Sequence, residues 1–312
     1  MKILITGGTG FVGTPLVGEL KRQGITAMLV SRSNQTNYGT PFIPVPLDGG
    51  LFSSDLIGSV SKIVNLAGES IAGSRWNEKV RRRILTSRVG ITRSIVESIR
   101  RNQEQNLPYP KVLVSASAVG YYGTHPSETF TEQSQRGNDF LADVCHRWET
   151  EAYKAEGLGV RVVCTRFGHV LDHDGGMLTR VAMPFRFGVG GYLGDGQQWM
   201  SWIHRKELVN IIMQALENPA WRGVYNLTTP YAVTMKEFMN VLGDALGSKS
   251  RMSVPAFAAR LLFGEMAQEV LLKGQKVFPK RLLEQGYVFE FSTLAESLSD
   301  IYRQCSKKKS GI

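Results

Sequence analysis

The chain has 312 residues, 42% of them hydrophobic and 21% charged, with a formal net charge of +10. Those proportions fit an ordinary globular protein with one sizeable α/β domain and a smaller lobe, and they exclude disordered, collagen-like and repeat-built chains. No apolar run is long enough to cross a bilayer, no signal-peptide layout is present, and Cys145, Cys164 and Cys305 form no C-x-x-C pair, so the expectation is a cytoplasmic protein of a reducing compartment with no disulfide framework, metal or membrane partner.

Residues 3–5 form a short apolar run suited to a strand buried on both faces. A glycine-rich turn, Thr6 to Gly13, follows directly. Then Val12, Leu16, Val17 and Leu20 share one face of a helical repeat, and Gly24 stands where a helix-ending glycine belongs. Residues 27–30 read as a second buried strand. Strand, glycine turn, helix and strand in this order are the context in which a glycine motif binds a dinucleotide.

Two overlapping patterns fit the turn. Gly8, Gly10 and Gly13 satisfy G-x-G-x-x-G, whereas Gly7, Gly10 and Gly13 satisfy G-x-x-G-x-x-G. Missing side chains let the backbone approach a pyrophosphate, and the helix N-terminus supplies N–H groups and positive potential. Gly7, Thr9, Gly10, Phe11, Val12 and Gly13 are therefore the expected phosphate-binding residues. An acid ends the second strand of most NAD sites, but here the position holds Ser31 and Arg32, and residues 25–47 contain no Asp or Glu. A hydroxyl and a guanidinium suit a 2′-phosphate, which favours NADP(H). Residues 61–69 read as a further strand and its C-terminal turn, with Leu66, Ala67, Gly68 and Glu69 where a doubly wound sheet receives its ligand.

Further along, the chain carries Ser87-Arg88, Ser117-Ala118-Val119-Gly120-Tyr121-Tyr122-Gly123, Arg147-Trp148-Glu149, Trp202-Ile203-His204 and Gly274-Gln275-Lys276. With the glycine turn and residues 65–69, their order and spacing resemble the short-chain dehydrogenase/reductase superfamily. The likeness is to its atypical, nucleoside-sugar-epimerase-like group, which is related by label to the SulA cell-division inhibitor. The resemblance spans nearly the whole chain and implies a Rossmann core with a small lobe over the nicotinamide end. It also implies that Arg88 and Arg83 reach cofactor phosphates or substrate, that Ser115 lines the cofactor site, and that the segment from Arg166 through Gly168 lies beside the nicotinamide.

Working enzymes of the main superfamily carry Tyr-x-x-x-Lys on a helix, the lysine lowering the tyrosine's pKa from about 10. None of the ten tyrosines has a lysine four residues on, and the corresponding positions are Leu141 and Cys145. Three candidates remain for proton chemistry. Ser117 ends the strand that delivers the superfamily's catalytic hydroxyl, Tyr121 follows it (Tyr122 being its alternative), and His204 titrates in the useful range. Each has a structural alternative, as pocket lining for the first two and as a hydrogen-bonding scaffold for the third. His204 also leads into Arg205-Lys206-Glu207, where the group has Asp-Asp.

Beyond Leu171 the sequence turns glycine-rich, and Met177, Met183, Phe185, Phe187, Trp199, Met200 and Trp202 could line a cleft or fill a lobe core. Residues 226–227 close a strand returning to the sheet, and Thr234 with Glu237 forms a capping box. The basic residues at 279–281 read as solvated. The expected fold is α/β, a doubly wound parallel Rossmann sheet over residues 1–170 with return elements around 202–228. A small α/β lobe would occupy 171–312 and include a domain of unknown function at about 254–301. Two functions stay open: an NADP(H)-dependent oxidoreductase or epimerase acting on a small carbonyl or carbinol substrate, and a dinucleotide-binding sensor or assembly protein without turnover. Scattered positive charge without an RNP-type motif argues against nucleic acid as a partner.

Overall fold

The computed structural model describes residues 1–31, 42–44, 50–71, 76–248, 252–254 and 273–310. Arg32, Arg75 and most of the first half of the segment 254–301 lie outside them.

The chain begins with the anticipated strand–turn–helix unit: β1 (Lys2–Thr6), α1 (Gly13–Arg22) and β2 (Thr26–Ser31). There follow β3 (Phe42–Pro44), α2 (Ser54–Ser59), β4 (Lys62–Asn65), α3 (Glu78–Leu85), a π-helical turn at Thr86–Gly90, and α4 (Ile91–Glu104). Next come β5 (Val112–Ala118), a 3-10 turn at Val119–Tyr122, β6 (Thr129–Phe130), α5 (Phe140–Tyr153) and β7 (Arg161–Phe167). A hairpin, β8 (His169–Asp172) with β9 (Gly175–Gly176), leads to α6 (Leu178–Arg186), β10 (Gly191–Leu193), β11 (Trp199–Met200) and β12 (Trp202–His204). The remainder is α7 (Arg205–Glu217), β13 (Gly223–Leu227), β14 (Val233–Thr234), α8 (Met235–Ala245), β15 (Met252–Val254), β16 (Lys276–Val277), α9 (Lys280–Glu284) and α10 (Leu294–Ser310).

Seven strands make one parallel sheet in the order β13-β7-β5-β4-β1-β2-β3. Strand polarity therefore gathers all the carboxyl ends at one edge, and the helices cover both faces. On one face Leu16, Val17 and Leu20 of α1 meet Leu208, Ile211 and Ile212 of α7 over Ile3, Ile5, Val114 and Val163. On the other, Ile95, Val96 and Ile99 of α4 and Ala152 of α5 pack on Leu4, Ile63, Leu113 and Val162. Each fully buried aliphatic side chain contributes roughly 1.5–3 kcal/mol, so the odd and even residues of every central strand are held from opposite sides.

A third cluster joins Leu171, Leu178, Phe185, Met200, Trp202, Phe238, Leu242, Leu298 and Ile301. Most of the large apolar residues after position 171 are thus a lobe core, although Met183 and Phe187 stay exposed. The cap of α8 is as anticipated, with Thr234 Oγ1 accepting from the Glu237 amide at 3.2 Å. In the basic run at 279–281, Lys280 is exposed as read, whereas Arg281 corrects the solvated reading. Arg281 donates to the carbonyl oxygens of Val224 at 2.6 Å and Arg222 at 2.8 Å and lies over the Tyr225 ring, while the amides of Asn226 and Arg281 donate to Glu132.

Candidate functional site

The glycine turn sits between β1 and α1, at the carboxyl edge of the sheet. Gly7 has φ +69° and lies under the Leu66 carbonyl; a Cβ there would fall 2.7 Å from that oxygen. At Gly13, the first residue of α1, a Cβ would fall 2.3 Å from the Gly7 carbonyl. Gly8 is buried against Leu29, whereas Gly10 is exposed and a Cβ on it would meet only the Gly7 carbonyl, at 3.1 Å. The turn thus follows the 7-10-13 pattern: Gly7 makes the bend, Gly10 leaves the backbone bare, Gly13 brings helix and strand together, and Gly8 is packing. α1 has no side-chain cap and no acid in its first turn, which leaves its positive end to an external anion. These features fit a dinucleotide pyrophosphate.

The tip of this turn is also gripped from outside. Arg205 Nη1 donates to the Phe11 carbonyl at 3.2 Å, its guanidinium lies over the Phe11 ring at 4.6 Å, and it pairs with Asp172 and Asp174 of the hairpin. The Phe11 ring rests on Gly175 and Gly176, where a Cβ would fall 2.5 Å and 2.9 Å from it. Val12 packs against the adjoining core and Thr9 is partly exposed on the turn.

Behind the turn, Thr6 donates to Asn65 at 2.6 Å and its hydroxyl accepts from the Ala67 amide at 3.3 Å, fixing the segment Leu66 to Glu69. Ser31 closes β2, on the other side of β1 from β4. Arg88 on the π-helical turn donates to the carbonyls of Glu69 and Ile84, and a Cβ on Gly68 would meet its guanidinium at 3.1 Å. Burial pushes the Arg88 pKa below the ordinary arginine value. Arg83 pairs with the Glu69 carboxylate at 3.2 Å. Through these contacts both arginines brace the loop that follows β4.

The second part of the site is a buried polar network at the ends of β5 and β7. Ser117 donates to Glu149 Oε1 at 2.6 Å. Arg166, opposite Ser117 in the ladder, makes a two-pronged pair with Glu149 at 2.8 and 2.7 Å and donates to the Tyr122 hydroxyl at 2.8 Å. Tyr122 in turn donates to Asn226 Oδ1 at 2.6 Å. Burial pulls the Arg166 pKa down, but the hydrogen bonds and charge of Glu149 outweigh it and the net shift is upward. Burial raises the Tyr122 pKa, so this phenol keeps its proton. Tyr121 stacks flat on the same guanidinium, 3.4 Å from ring centroid to Cζ, and its hydroxyl has no hydrogen-bond partner among the described residues.

Helix α5 faces this turn with Leu141 and Cys145, whose side chains lie 3.5 Å and 3.9 Å from where a Gly120 Cβ would stand. Burial pushes the Cys145 thiol up to about 12, so neither position handles protons at neutral pH. The Arg166 side chain is engaged inside the protein, which leaves only the backbone of its segment for a cofactor, and Ser115 is buried with Asn65 as a neighbour. Gly168 lies where a Cβ would be 2.6 Å from the Ser201 carbonyl, so close strand packing explains that glycine.

The geometry favours the scaffold alternative for His204. It is the N-cap of α7: Nδ1 accepts from the Lys206 amide at 3.1 Å, the ring stacks on Phe291 at 4.0 Å, and Nε2 lies 3.5 Å from Asp300. Burial lowers its pKa, with the charges of Asp172 and Asp300 opposing. His204→Ala is expected to lose about 1 kcal/mol of stability, read as a lower urea midpoint, while NADPH binding is unchanged. A large loss of NADPH affinity would return His204 to the functional site.

The sequence reading missed Glu149, Asn226 and Arg205. Only Glu149 left a local signal, an acid four residues after Cys145 and therefore on the buried stripe of α5. Among the described residues no group of three or more potential metal ligands comes together, and no helix is long and apolar enough to cross a membrane.

Residues 3–228 match the NAD dependent epimerase/dehydratase family, and residues 254–301 match a domain of unknown function, DUF1731. The chain is 39% identical over 307 residues to the Arabidopsis thaliana protein named epimerase family protein SDR39U1 homolog, chloroplastic, covering 96% of this chain and 86% of that one. It is 37% identical over 303 residues to epimerase family protein YfhF of Bacillus subtilis, covering 96% and 98%. Among solved structures, human epimerase family protein SDR39U1 (isoform 2) with NADPH superposes with a TM-score of 0.85 at 33% identity, covering 97% of this chain and 99% of that one. A UDP-N-acetylglucosamine 4-epimerase from Bacillus cereus shares the fold, with a TM-score of 0.76 at 17% identity over 98% and 99% of the two chains.

Proposed function

This chain belongs to the NAD dependent epimerase/dehydratase family, and from that premise we propose that it is an NADP(H)-dependent oxidoreductase or epimerase acting on a small carbonyl or carbinol substrate. The observation that carries the reading is the 7-10-13 glycine cradle at the uncapped start of α1. The human relative crystallised with NADPH supports the choice of cofactor, as does a second strand that ends in Ser31 and Arg32 without an acid.

Gly7, Thr9, Gly10, Phe11, Val12 and Gly13 hold the pyrophosphate, Ser31 and Arg32 the 2′-phosphate, and Leu66 to Glu69 the adjoining ribose edge. When bound, the nicotinamide supplies hydride exchange. Ser117 gives its one proton to Glu149, so toward a ligand its oxygen is an acceptor. It orients a carbinol hydroxyl. Tyr121 then handles the proton in place of the absent Tyr-x-x-x-Lys pair, its free phenol held over the Arg166 guanidinium. The alternative, dinucleotide binding without turnover, draws on the inert Leu141 and Cys145 at the expected catalytic positions.

Titration with NADPH and NADH, followed by cofactor fluorescence, tests this. NADPH is expected to bind at least about tenfold tighter than NADH, and Arg32→Ala to weaken NADPH alone by about 10–100-fold, the worth of a charge-assisted contact. Binding of neither dinucleotide at micromolar levels defeats the proposal. In a carbonyl screen with wild-type turnover, Tyr121→Phe is expected to lower kcat by about 10²–10⁴-fold; a full-rate Tyr121→Phe protein removes that residue from the chemistry.

A further inference from the structure

A polar side chain enclosed by protein is normally satisfied by a partner. Along the rim formed by the ends of β5, β7, β8, β12 and β13 this holds for Ser117, Arg166, Ser201, Asn226 and Thr228, each hydrogen-bonded within the chain, whereas His204 is satisfied at Nδ1 alone, its buried Nε2 lying 3.5 Å from Asp300. Two partly exposed side chains at this rim have no hydrogen bond at all among the described residues. One is the Tyr121 phenol. The other is His169, whose ring nitrogens have no partner among the described residues, although its backbone amide is fixed to the Ser201 carbonyl at 2.8 Å.

His169 opens β8, two residues past the end of β7, and pairs with Trp202. The neighbouring β5–β7 ladder sets Ser117 beside Arg166 and Ala118 beside Phe167, so His169 follows directly from the segment that flanks the candidate catalytic hydroxyl. Side chains two apart on a strand share a face. The same-face neighbour of His169 is Leu171, which enters the core of the lobe. The imidazole therefore stands on the lobe side of the rim. It is only partly buried, and no carboxylate pairs with it among the described residues. Burial holds its pKa down at about 4, so at neutral pH it presents one N–H donor and one acceptor nitrogen without charge.

We propose, building on the oxidoreductase reading above, that His169 contacts the substrate directly as a neutral hydrogen-bonding partner for a hydroxyl or carbonyl group, selecting uncharged carbinol and carbonyl compounds over those presenting a carboxylate or phosphate at that point. A neutral imidazole satisfies a hydroxyl or carbonyl well and compensates an anion poorly. The two unpartnered groups then divide the work. Tyr121 exchanges the proton, and His169 fixes the orientation of the group that carries it.

The test uses full-length protein with ¹³C-labelled histidine, the His169 resonance being assigned by its absence from the His169→Gln spectrum. Cyclohexanone and cyclohexanecarboxylate are added separately as probes, to the free protein and to protein with NADP⁺. NADPH fluorescence is read on the same preparation. The expected result is a saturable His169 shift with cyclohexanone, at an apparent Kd at least about tenfold below that for the carboxylate, with His146 and His204 unmoved. His169→Leu is expected to weaken cyclohexanone about tenfold and His169→Gln to restore most of it, with unchanged NADPH affinity. A His169 signal indifferent to both probes in both states overturns the assignment, and so does a preference for the carboxylate. Absent dinucleotide binding defeats the oxidoreductase reading instead, and the free-protein titration still judges His169. Should His169→Leu fail to fold, the wild-type shifts decide.

Discussion

Replacing Glu149 by alanine is expected to destabilise the protein by about 3–5 kcal/mol, the cost of leaving a buried charge without its partner. The side chains of Glu149 and Arg166 are only 6% and 4% exposed. Removing the carboxylate takes three hydrogen bonds at once, two from Arg166 and one from Ser117. The guanidinium would keep Tyr122 and the Tyr121 face, neither of which carries the opposite charge. Urea unfolding checks the size. A Glu149→Met, Arg166→Met double variant distinguishes a lost charge partner from a lost volume, because swapping a whole buried pair for apolar groups is often close to neutral. If the double variant is as unstable as the single one, charge imbalance is not the cause. A single variant within about 1 kcal/mol of wild type would mean that the network is more hydrated than its geometry indicates.

Gly13→Ala is expected to abolish measurable NADPH binding, a loss of about 100-fold or more, and to destabilise by roughly 1–3 kcal/mol as an overpacked contact. The sign is informative. Alanine in place of glycine within a helix ordinarily stabilises by about 1 kcal/mol. At Gly18, in the same helix, a Cβ would meet nothing within 4 Å, so Gly18→Ala should follow that rule and leave binding intact. At Gly13 the new carbon would fall 2.3 Å from the Gly7 carbonyl and 2.6 Å from the Gly8 Cα. Backbone must move, and the backbone that moves is the cradle. Fluorescence titration of the two variants side by side is the measurement; equal binding by Gly13→Ala and Gly18→Ala would mean that the turn is not where the dinucleotide docks.

What was legible in the sequence was what neighbouring residues decide. The strand at residues 3–5, the glycine turn and the apolar stripe of α1 are local, and the structure carries them as read. The choice between two glycine patterns needed one tertiary fact, that Leu29 packs on Gly8 while Gly10 faces outward. Side-chain roles were less legible because their partners are remote in sequence. Tyr122 and Asn226 are 104 residues apart, and Arg205 is 194 from the Phe11 carbonyl it holds. His204 is open in the sequence between a proton-handling candidate and a hydrogen-bonding scaffold, and the amide of Lys206 and the ring of Phe291 favour the scaffold. For Arg83 and Arg88 the resemblance offers a phosphate or substrate contact, and it could not show that the protein's own carbonyls and Glu69 also lie within their reach.

The last strand of the central sheet shows why the C-terminal segment is needed beyond any part in a ligand site. β13 stands at the sheet's margin, and an open margin invites another chain to add a strand. Here the outward carbonyl of Val224 is taken by the Arg281 guanidinium and the outward amide of Asn226 by Glu132. Two side chains thus occupy the hydrogen-bonding positions that an intruding strand would require. A chain cut after residue 228 would keep all seven strands and lose Arg281, so its exposed margin would become a template for self-association. The segment after β16 therefore works as a guard against aggregation, whatever ligand the opposite end of the sheet receives.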